Sequence, residues 1–224
     1  MQNLGLAYTL FPALKRLYPD PEVRRSAIQR HLLFFNTHPY SAAAIVGGIL
    51  FHEERIARGE EGPERVVAFK SALMGPLAAL GDGFFWLSLK PAVGAFCAAL
   101  MPHYREKAVI LFLVLYNFVH LTFRWRLFWL GLAQGDQLVD RVAKANLPAR
   151  GAQLRRVAAA SAGALAAWLA VQFGSFEGGL LAPLLATGCL LVGAIGYWMV
   201  SRRISPYAVL YSAAGLAVAV GAWL

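Results

Sequence analysis

The sequence predicts an all-α, multi-pass integral membrane protein, and three observations lead to this fold class. Of its 224 residues, 58% are hydrophobic and only 15% are charged, whereas soluble domains average about 25% charged residues. Three charge-free runs, 157–176, 178–201 and 204–224, are each long enough to cross a bilayer as a helix. A lone carboxylate, Asp82, interrupts a further apolar stretch, and ionisable residues at membrane depth are candidates for functional sites.

Residues 1–35 are predicted to form two amphipathic helices that lie in the membrane interface. Pro19 and Pro21 flank Asp20, which suits an N-cap, and Pro21 suits the first helical position. Apolar residues cover about half of the second helix, and its arginines can reach lipid headgroups. The alternative is a solvated helix against a protein core. The predicted apolar half comprises Val23, Ala27, Ile28, Leu32, Phe34 and Phe35.

Residues 36–39, with the sequence Asn-Thr-His-Pro, break the second helix. The proline is well placed to start the next helix, with Thr37 or His38 as its cap. The apolar stretch that follows ends at two adjacent carboxylates, Glu53 and Glu54.

The segment 73–86 is predicted to be broken or re-entrant. Gly75 and Pro76 interrupt a regular helix, and glycines flank Asp82 on both sides. Irregular backbone at membrane depth is tolerated only inside protein or along a watery cavity, and transporters build solute sites from such segments.

A carboxylate at this depth needs a polar environment, so we expect Asp82 to lie inside protein. It either contacts a solute, forms an ion pair with Lys70 or Lys90, or caps a helix. Trp86 and Lys90 follow at i+4 and i+8, so they share a face with Asp82 if the segment is helical.

The segment 108–134 carries a polar stripe, because Asn117, His120 and Arg124 recur at i, i+3 and i+7. In lipid such a side faces protein or a cavity. These residues therefore either join helices by hydrogen bonds or, for Asn117 above all, contact a solute.

A basic connector, 134–156, precedes the C-terminal spans. The arginine pairs 155–156 and 202–203 are predicted to be cytoplasmic by the positive-inside rule. The two helices between them then turn outside the membrane near 174–179, and the C-terminus lies outside.

The formal net charge of +9 comes mainly from basic residues beside apolar runs, which fits anionic headgroups better than nucleic acid. The histidines and cysteines lack metal-ligand spacing, and no catalytic triad or phosphate loop occurs. The sequence therefore predicts no cofactor, no metal and no catalytic residue. One domain is expected, with interfacial helices at 1–35, a core at 36–134 and three membrane helices at 157–224.

Several motifs follow one another along the chain: 1–5 (Met-Gln-Asn-Leu-Gly), 12–18, 30–39, 53–54, 72–86, 116–117, 124–125, 183–185 and 202–206. In this order they resemble the IID subunit of the mannose/fructose/sorbose family of the phosphoenolpyruvate-dependent sugar phosphotransferase system (PTS). The match extends over nearly the whole chain, and ordered motifs are far more specific than any one alone.

The resemblance implies a subunit of a sugar permease in the bacterial cytoplasmic membrane. Such a IID chain pairs obligately with a IIC subunit, and together they form the path for a hexose. IIA and IIB subunits relay phosphate from HPr, the complex is a trimer of IIC–IID pairs, and IID itself carries no phosphorylated histidine.

Candidates for the substrate path or the IIC interface are Asn36, His38, Glu53, Glu54, Lys70, Gly75, Pro76, Asp82, Trp86 and Asn117. For Asn36 and His38 the alternative role is a helix cap. Glu53 and Glu54 are either solvated or bind a basic surface of IIC or IIB.

Two departures from the family pattern are expected: a missing or shortened segment before the first motif and a short outer loop at 174–179. They motivate an alternative function, a regulatory or vestigial PTS component that senses phosphotransfer flux without bulk uptake. A membrane scaffold unrelated to sugar is a third possibility, which the ordered motifs disfavour.

Overall fold

The computed structural model describes residues 1–176 and, beyond them, the single residues Thr187, Gly188, Leu191, Ala194, Ile195, Trp198, Arg202, Ser205, Ala208, Tyr211 and Gly215. The described part is all-helical, as predicted. The helices are α1 (Asn3–Leu17), α2 (Pro21–Leu32), α3 (Ala42–Ala57), α4 (Pro63–Gly81), α5 (Lys90–Tyr104), α6 (Glu106–Gln134), α7 (Leu138–Lys144) and α8 (Leu147–Phe176). A π-helix, Asp82–Leu89, joins α4 to α5, and a 3₁₀ turn, Gly135–Gln137, precedes α7.

By its contacts the chain divides into two units, Met1–Ala162 and Gly163–Leu224. In the first unit the core lies where α3 packs against α6 and α4. Two helical stretches of the described part, Pro63–Tyr104 and Glu106–Leu169, are long and apolar enough to cross a membrane by length and composition.

The two predicted N-terminal helices are α1 and α2, and the predicted cap between them is confirmed. Asp20 Oδ1 accepts hydrogen bonds from the backbone N–H groups of Glu22 and Val23, and Pro21 is the first residue of α2. One face of α1 enters the core, and the opposite face is apolar but exposed. The buried residues of α1 are Leu6, Ala7, Leu10 and Leu14, and the exposed apolar ones include Leu4, Tyr8 and Phe11.

The predicted apolar half of α2 is wrong in part. Ala27 is fully buried, but Val23, Leu32 and Phe34 are exposed. Because α2 ends at Leu32, its periodicity does not extend to Phe34 and Phe35, of which Phe35 is buried. Val23 and Leu32 lie within α2 and are exposed there. Exposed apolar side chains suit an interfacial helix, and this location stays a prediction.

The third helix begins at Ala42 instead of Pro39, and its N-cap residue, Ser41, makes no side-chain capping bond. His38 closes the preceding turn. Its Nδ1 accepts the N–H of Tyr40 at 3.2 Å, and its carbonyl accepts the N–H of Ala42 at 3.0 Å. The His38 ring is buried, and the turn it closes occupies the positions at which the helix was predicted to begin.

Glycines let α3 and α6 approach until their backbones touch. A Cβ atom on Gly47 would lie 2.2 Å from the carbonyl oxygen of Phe128, and one on Gly131 would lie 2.2 Å from that of Ala44. Distances this short cannot be relieved by rotating a side chain, so the two helices are packed through their main chains.

We expect Gly47→Ala to destabilise the protein by about 1–3 kcal/mol, because the added methyl group forces α3 and α6 apart. Gly75→Ala is the matched control, since nothing lies within 4 Å of a Cβ there. An exposed helical glycine replaced by alanine is neutral or slightly stabilising. Thermal unfolding of the detergent-solubilised protein measures both, and equal melting temperatures would contradict the close packing.

The predicted break at Gly75–Pro76 is wrong. The helix continues through both residues from Pro63 to Gly81, because Leu73 and Leu77 anchor it to the core on either side of the proline. A proline within a helix removes one backbone hydrogen bond without requiring the helix to end. The irregularity lies instead at the π-helix that begins with Asp82, within the predicted segment 73–86.

The connector 134–156 contains the 3₁₀ turn, α7 and the start of α8. The predicted span 157–176 is helical but belongs to a helix that begins ten residues earlier, at Leu147. That helix continues to Phe176, past the predicted start of the outer turn at 174. The rest of the turn, the arginine at 203 and, apart from single positions, the spans 178–201 and 204–224 lie outside the described residues.

Candidate functional site

Several helices meet at the fully buried carboxylate of Glu53. Arg30 donates from Nε to Oε1 at 2.8 Å and from Nη2 to Oε2 at 2.5 Å. Tyr18 donates its hydroxyl proton to Oε2 at 2.7 Å, and Nε2 of His31 lies 2.7 Å from Oε1. Lys70, also buried, donates from Nζ to the backbone carbonyl of Arg30 at 2.8 Å. These five residues, the Glu53 cluster, tie the end of α1 to α2, α3 and α4.

In the Glu53 cluster the carboxylate of Glu53 is paired with the guanidinium of Arg30. Burial raises the pKa of Glu53, but the hydrogen bonds from Arg30, His31 and Tyr18 outweigh burial and bring the pKa to about 2. Burial lowers the pKa of His31, with Glu53 acting in the opposite direction. The His31 ring is therefore neutral at pH 7 and donates its Nε2–H to Glu53.

The Glu53 cluster corrects two expectations. Glu53 is neither solvated nor free to bind a partner, because Arg30, His31 and Tyr18 occupy both of its oxygens. Lys70 does not pair with Asp82 but bonds a carbonyl of α2.

We expect stability to fall as the pH is lowered from 7. Glu53 has a folded pKa of about 2 against 4.5 for a free carboxyl, so its contribution is complete above pH 4.5 and is lost as the pH falls toward 2. The neutral His31 must gain a proton on unfolding below about pH 6.5, so it lowers stability in the same direction.

Thermal unfolding at pH 7, 5.5 and 4 measures this dependence. His31→Gln keeps a donor for Glu53 but does not titrate, so it should flatten the slope between pH 6.5 and 4.5. A melting temperature that stays constant or rises on acidification would contradict the assignment.

His38 is buried where the turn before α3 meets the π-helix. Its ring stacks on Phe85 with centroids 5.2 Å apart and meets the edge of Tyr40 at 5.0 Å. Because Nδ1 accepts the N–H of Tyr40, the neutral ring carries its proton on Nε2. That Nε2 is buried without a hydrogen bond and lies 4.0 Å from Oδ1 of Asp82. The position of the His38 ring requires a glycine at residue 81, because a Cβ on Gly81 would lie 2.4 Å from Cγ of His38.

Asp82 is 61% exposed, so this chain by itself does not enclose it as we expected. Lys90 lies over the ring of Trp86 at 5.2 Å, and neither Lys90 nor Lys70 forms an ion pair with Asp82 among the described contacts. Asp82 is not a helix cap either, since the helix continues through it. Among the described contacts it faces His38, whose pKa burial lowers and Asp82 raises.

From His38 a row of aromatic and polar side chains continues to α6. Tyr40 stacks on His120 with ring centroids 4.5 Å apart, and its hydroxyl lies 3.2 Å from that of Tyr116. Nε2 of His120 lies 2.9 Å from Oδ1 of Asn117, which confirms that these two residues share one side of α6. We call this set the His38 row; it comprises His38, Tyr40, Asp82, Trp86, Tyr116, Asn117 and His120.

The His38 row offers the groups that a polyhydroxylated solute needs. Asp82 accepts hydrogen bonds, and the buried Nε2–H of His38 is an unused donor. The amide of Asn117 is already bonded within α6, because its Nδ2 donates to the carbonyl of Leu113 at 2.7 Å and its Oδ1 lies 2.9 Å from His120. Trp86, 46% exposed, presents a flat apolar face beside Asp82. In the described part of the chain, no three His, Cys, Asp or Glu side chains are placed to hold a metal ion.

Another buried histidine, His52, lies near the C-terminal end of α3. Nδ1 of His52 lies 2.7 Å from Glu61, and its Nε2 lies 3.6 Å from Asp136. Arg55 bonds Glu61 at 2.5 Å, and Arg65 pairs with Asp136. This group joins α3, the loop after it, α4 and the 3₁₀ turn, so we interpret it as structural.

Of the predicted candidates, the structure brings together His38, Asp82, Trp86 and Asn117. Glu53 and Lys70 belong to the Glu53 cluster. The remaining four are exposed and belong to neither group: Asn36, Glu54, Gly75 and Pro76. Among these, Glu54 of α3 pairs only with Arg58, the residue that follows α3, in the described part.

Sequence reasoning missed Tyr18, Arg30 and His31 as partners of Glu53, and Tyr40 and Tyr116 as members of the row. Tyr18, Arg30, His31 and Tyr116 stand within the motifs quoted above, and this was the available signal. Their partners lie 22 to 76 residues away along the chain, beyond the reach of helical spacing.

Comparisons with known proteins agree on one family. The model of the PTS system mannose/fructose/sorbose family IID component matches residues 1–224. The mannose-specific EIID component of Escherichia coli is 40% identical over 141 residues, 62% of this chain and 50% of the relative. The sorbose-specific EIID component of Lacticaseibacillus casei is 38% identical over 137 residues, 61% of this chain and 49% of the relative. The chain therefore spans about half the length of these curated relatives.

Solved structures agree with the fold. The cryo-EM structure of the mannose transporter ManYZ in complex with a microcin matches with a TM-score of 0.58 at 28% identity. A structure described as a membrane protein matches with a TM-score of 0.70, also at 28% identity. Each match covers 99% of this chain and 88% of the other.

Proposed function

This chain belongs to the IID component family of the mannose/fructose/sorbose phosphotransferase system, and from that premise we propose that it forms part of a sugar translocation path. The substrate class is a hexose or a related monosaccharide. The chain contributes binding groups, and the phosphoryl transfer takes place on partner subunits. The family match over residues 1–224 does not favour the regulatory alternative.

The observation that carries this proposal is the His38 row. It places an exposed carboxylate, Asp82, and an exposed indole, Trp86, on a long apolar helix where the backbone departs from regular α geometry. π-Helical turns occur often at functional sites. A sugar that leaves water needs replacement hydrogen bonds and a flat apolar surface, and these two side chains supply both.

A IIC subunit completes the path in this proposal. Asp82 is open in this chain, and a carboxylate at membrane depth is stable only in a polar setting that a partner or a watery path provides. The exposed candidates Asn36 and Glu54 are proposed as contacts with IIC. We expect this chain to aggregate when it is expressed alone. We expect it to form a stable complex when it is expressed with its cognate IIC subunit.

The proposed setting is the bacterial cytoplasmic membrane, crossed several times. The complex is a trimer of IIC–IID pairs that IIA, IIB and HPr supply with phosphate. Support comes from the family match and from the likeness to a mannose transporter structure.

Uptake of labelled mannose, fructose and sorbose tests the function in cells that lack their own permeases. The chain is expressed with its cognate IIA, IIB and IIC subunits, and the same set without the chain is the control. We expect phosphorylated sugar to accumulate only with the full set. An assembled complex that takes up none of the three sugars would contradict the proposal.

A further inference from the structure

Ser88 lies near the C-terminal end of the π-helix and is fully buried. Its hydroxyl donates to the carbonyl of Gly83 at 2.8 Å and accepts a hydrogen bond from Nη1 of Arg155 at 2.8 Å. The hydroxyl thus links α8 to the backbone of Gly83, the residue that follows Asp82. Trp86, the other solute-facing candidate, lies two residues before Ser88.

A glycine on α8, Gly151, allows α8 to approach Ser88 closely enough for the hydrogen bond from Arg155. Gly151 stands one turn before Arg155 on α8, and a Cβ on it would lie 2.9 Å from the Ser88 hydroxyl oxygen. Beside the contact lies a cavity of about 160 Å³ that Gly83, Phe84 and Leu147 help to line. The Ser88–Arg155 hydrogen bond therefore joins α8 to the π-helix beside this cavity.

A π-helix is rare and less regular than an α-helix, so we expect it to require stabilising contacts of this kind. If it relaxed to α geometry, a shift of one residue would rotate one part of the helix against the other by about 100°. Asp82 and Trp86 would then no longer flank His38 together.

We infer that Ser88 and Arg155 are positioning residues, which fix the π-helical register and thereby aim Asp82 and Trp86 at the solute. The inference rests on the proposed function for its solute but on the hydrogen bonds above for its mechanism. Neither residue is expected to touch the sugar.

The test compares Arg155→Met with Arg156→Met in the full complex. Both changes remove one charge from the same arginine pair, and Arg156 is likewise exposed. Arg155→Met and Ser88→Ala should each raise the apparent KM for sugar uptake about fivefold, as the loss of one hydrogen bond allows. The amount of assembled complex should stay unchanged, Arg155→Lys should retain the parental KM, and Arg156→Met should resemble the parent.

A parental KM in Arg155→Met would overturn the inference. So would a smaller amount of complex with an unchanged KM, since that is the result of a merely structural role. Because the parent and the variants are assayed together, a parent without uptake refutes the proposed function instead.

A second measurement does not depend on transport. Leu87 is 66% exposed on the π-helix, and a single cysteine placed there can be labelled in a background without Cys97 and Cys189. Arg155→Met should change its labelling rate, because the register shift turns the side chain to new surroundings. An unchanged rate would overturn the inference even where no uptake is measurable.

Discussion

Replacing Glu53 by alanine should destabilise the folded protein by about 3–5 kcal/mol, the cost of removing one partner from a buried ion pair. Arg30 would keep its charge with little access to water, since 11% of its side chain is exposed. His31 and Tyr18 would lose their acceptor as well. Because the cluster joins the end of α1 to α2, α3 and α4, we expect loss of the complex from the membrane.

Glu60→Ala is the matched control for this change. Glu60 lies in the loop after α3, is exposed, and pairs with Arg55 at 3.3 Å and with Arg58 at 3.7 Å. Such surface pairs contribute about 0–1 kcal/mol. The amount of membrane-embedded complex and its melting temperature measure both variants, and equal effects would show that burial of the cluster does not matter.

The double variant Arg30→Met, Glu53→Met separates charge from packing. A buried ion pair replaced as a whole by apolar side chains is often neutral, whereas removal of one partner is not. We therefore expect the double variant to be more stable than Glu53→Ala. If the double variant is less stable than Glu53→Ala, the cluster stabilises the protein through the hydrogen bonds of Glu53 to Tyr18 and His31.

Asp82→Asn should reduce sugar uptake by one to two orders of magnitude while assembly stays intact. The change preserves size but removes the charge, and a hydrogen bond to a charged group contributes about 1.5–3 kcal/mol. Because Asp82 pairs with no lysine or arginine among the described contacts, its loss leaves no buried lysine unpaired. Asp82→Leu should lower uptake further, since it also removes the acceptor.

Asp140→Asn serves as the control, because it makes the same change at an exposed position of α7 outside the His38 row. Labelled-sugar uptake, normalised to the amount of complex, measures each variant. If Asp82→Asn and Asp82→Leu both assemble and transport as the parent does, Asp82 is not a solute ligand and the site lies elsewhere.

The sequence by itself determined the features that depend on local pattern and composition. Helices follow from apolar content, the Asp20 cap from its position before Pro21, and the polar side of α6 from the spacing of Asn117 and His120. The glycines beside Asp82 marked the place where the helix becomes irregular, although its π form was not foreseen.

Only the tertiary structure decided what the buried polar groups contact. Glu53 looked solvated because two carboxylates end an apolar run, yet helix packing brings it to Arg30, 23 residues earlier. Likewise Pro76 looked like a break, but core contacts on both sides keep the helix continuous. Helical periodicity reports which side of a helix a residue occupies. The partner on that side is set by which other helices pack there, and that depends on contacts summed over the whole fold.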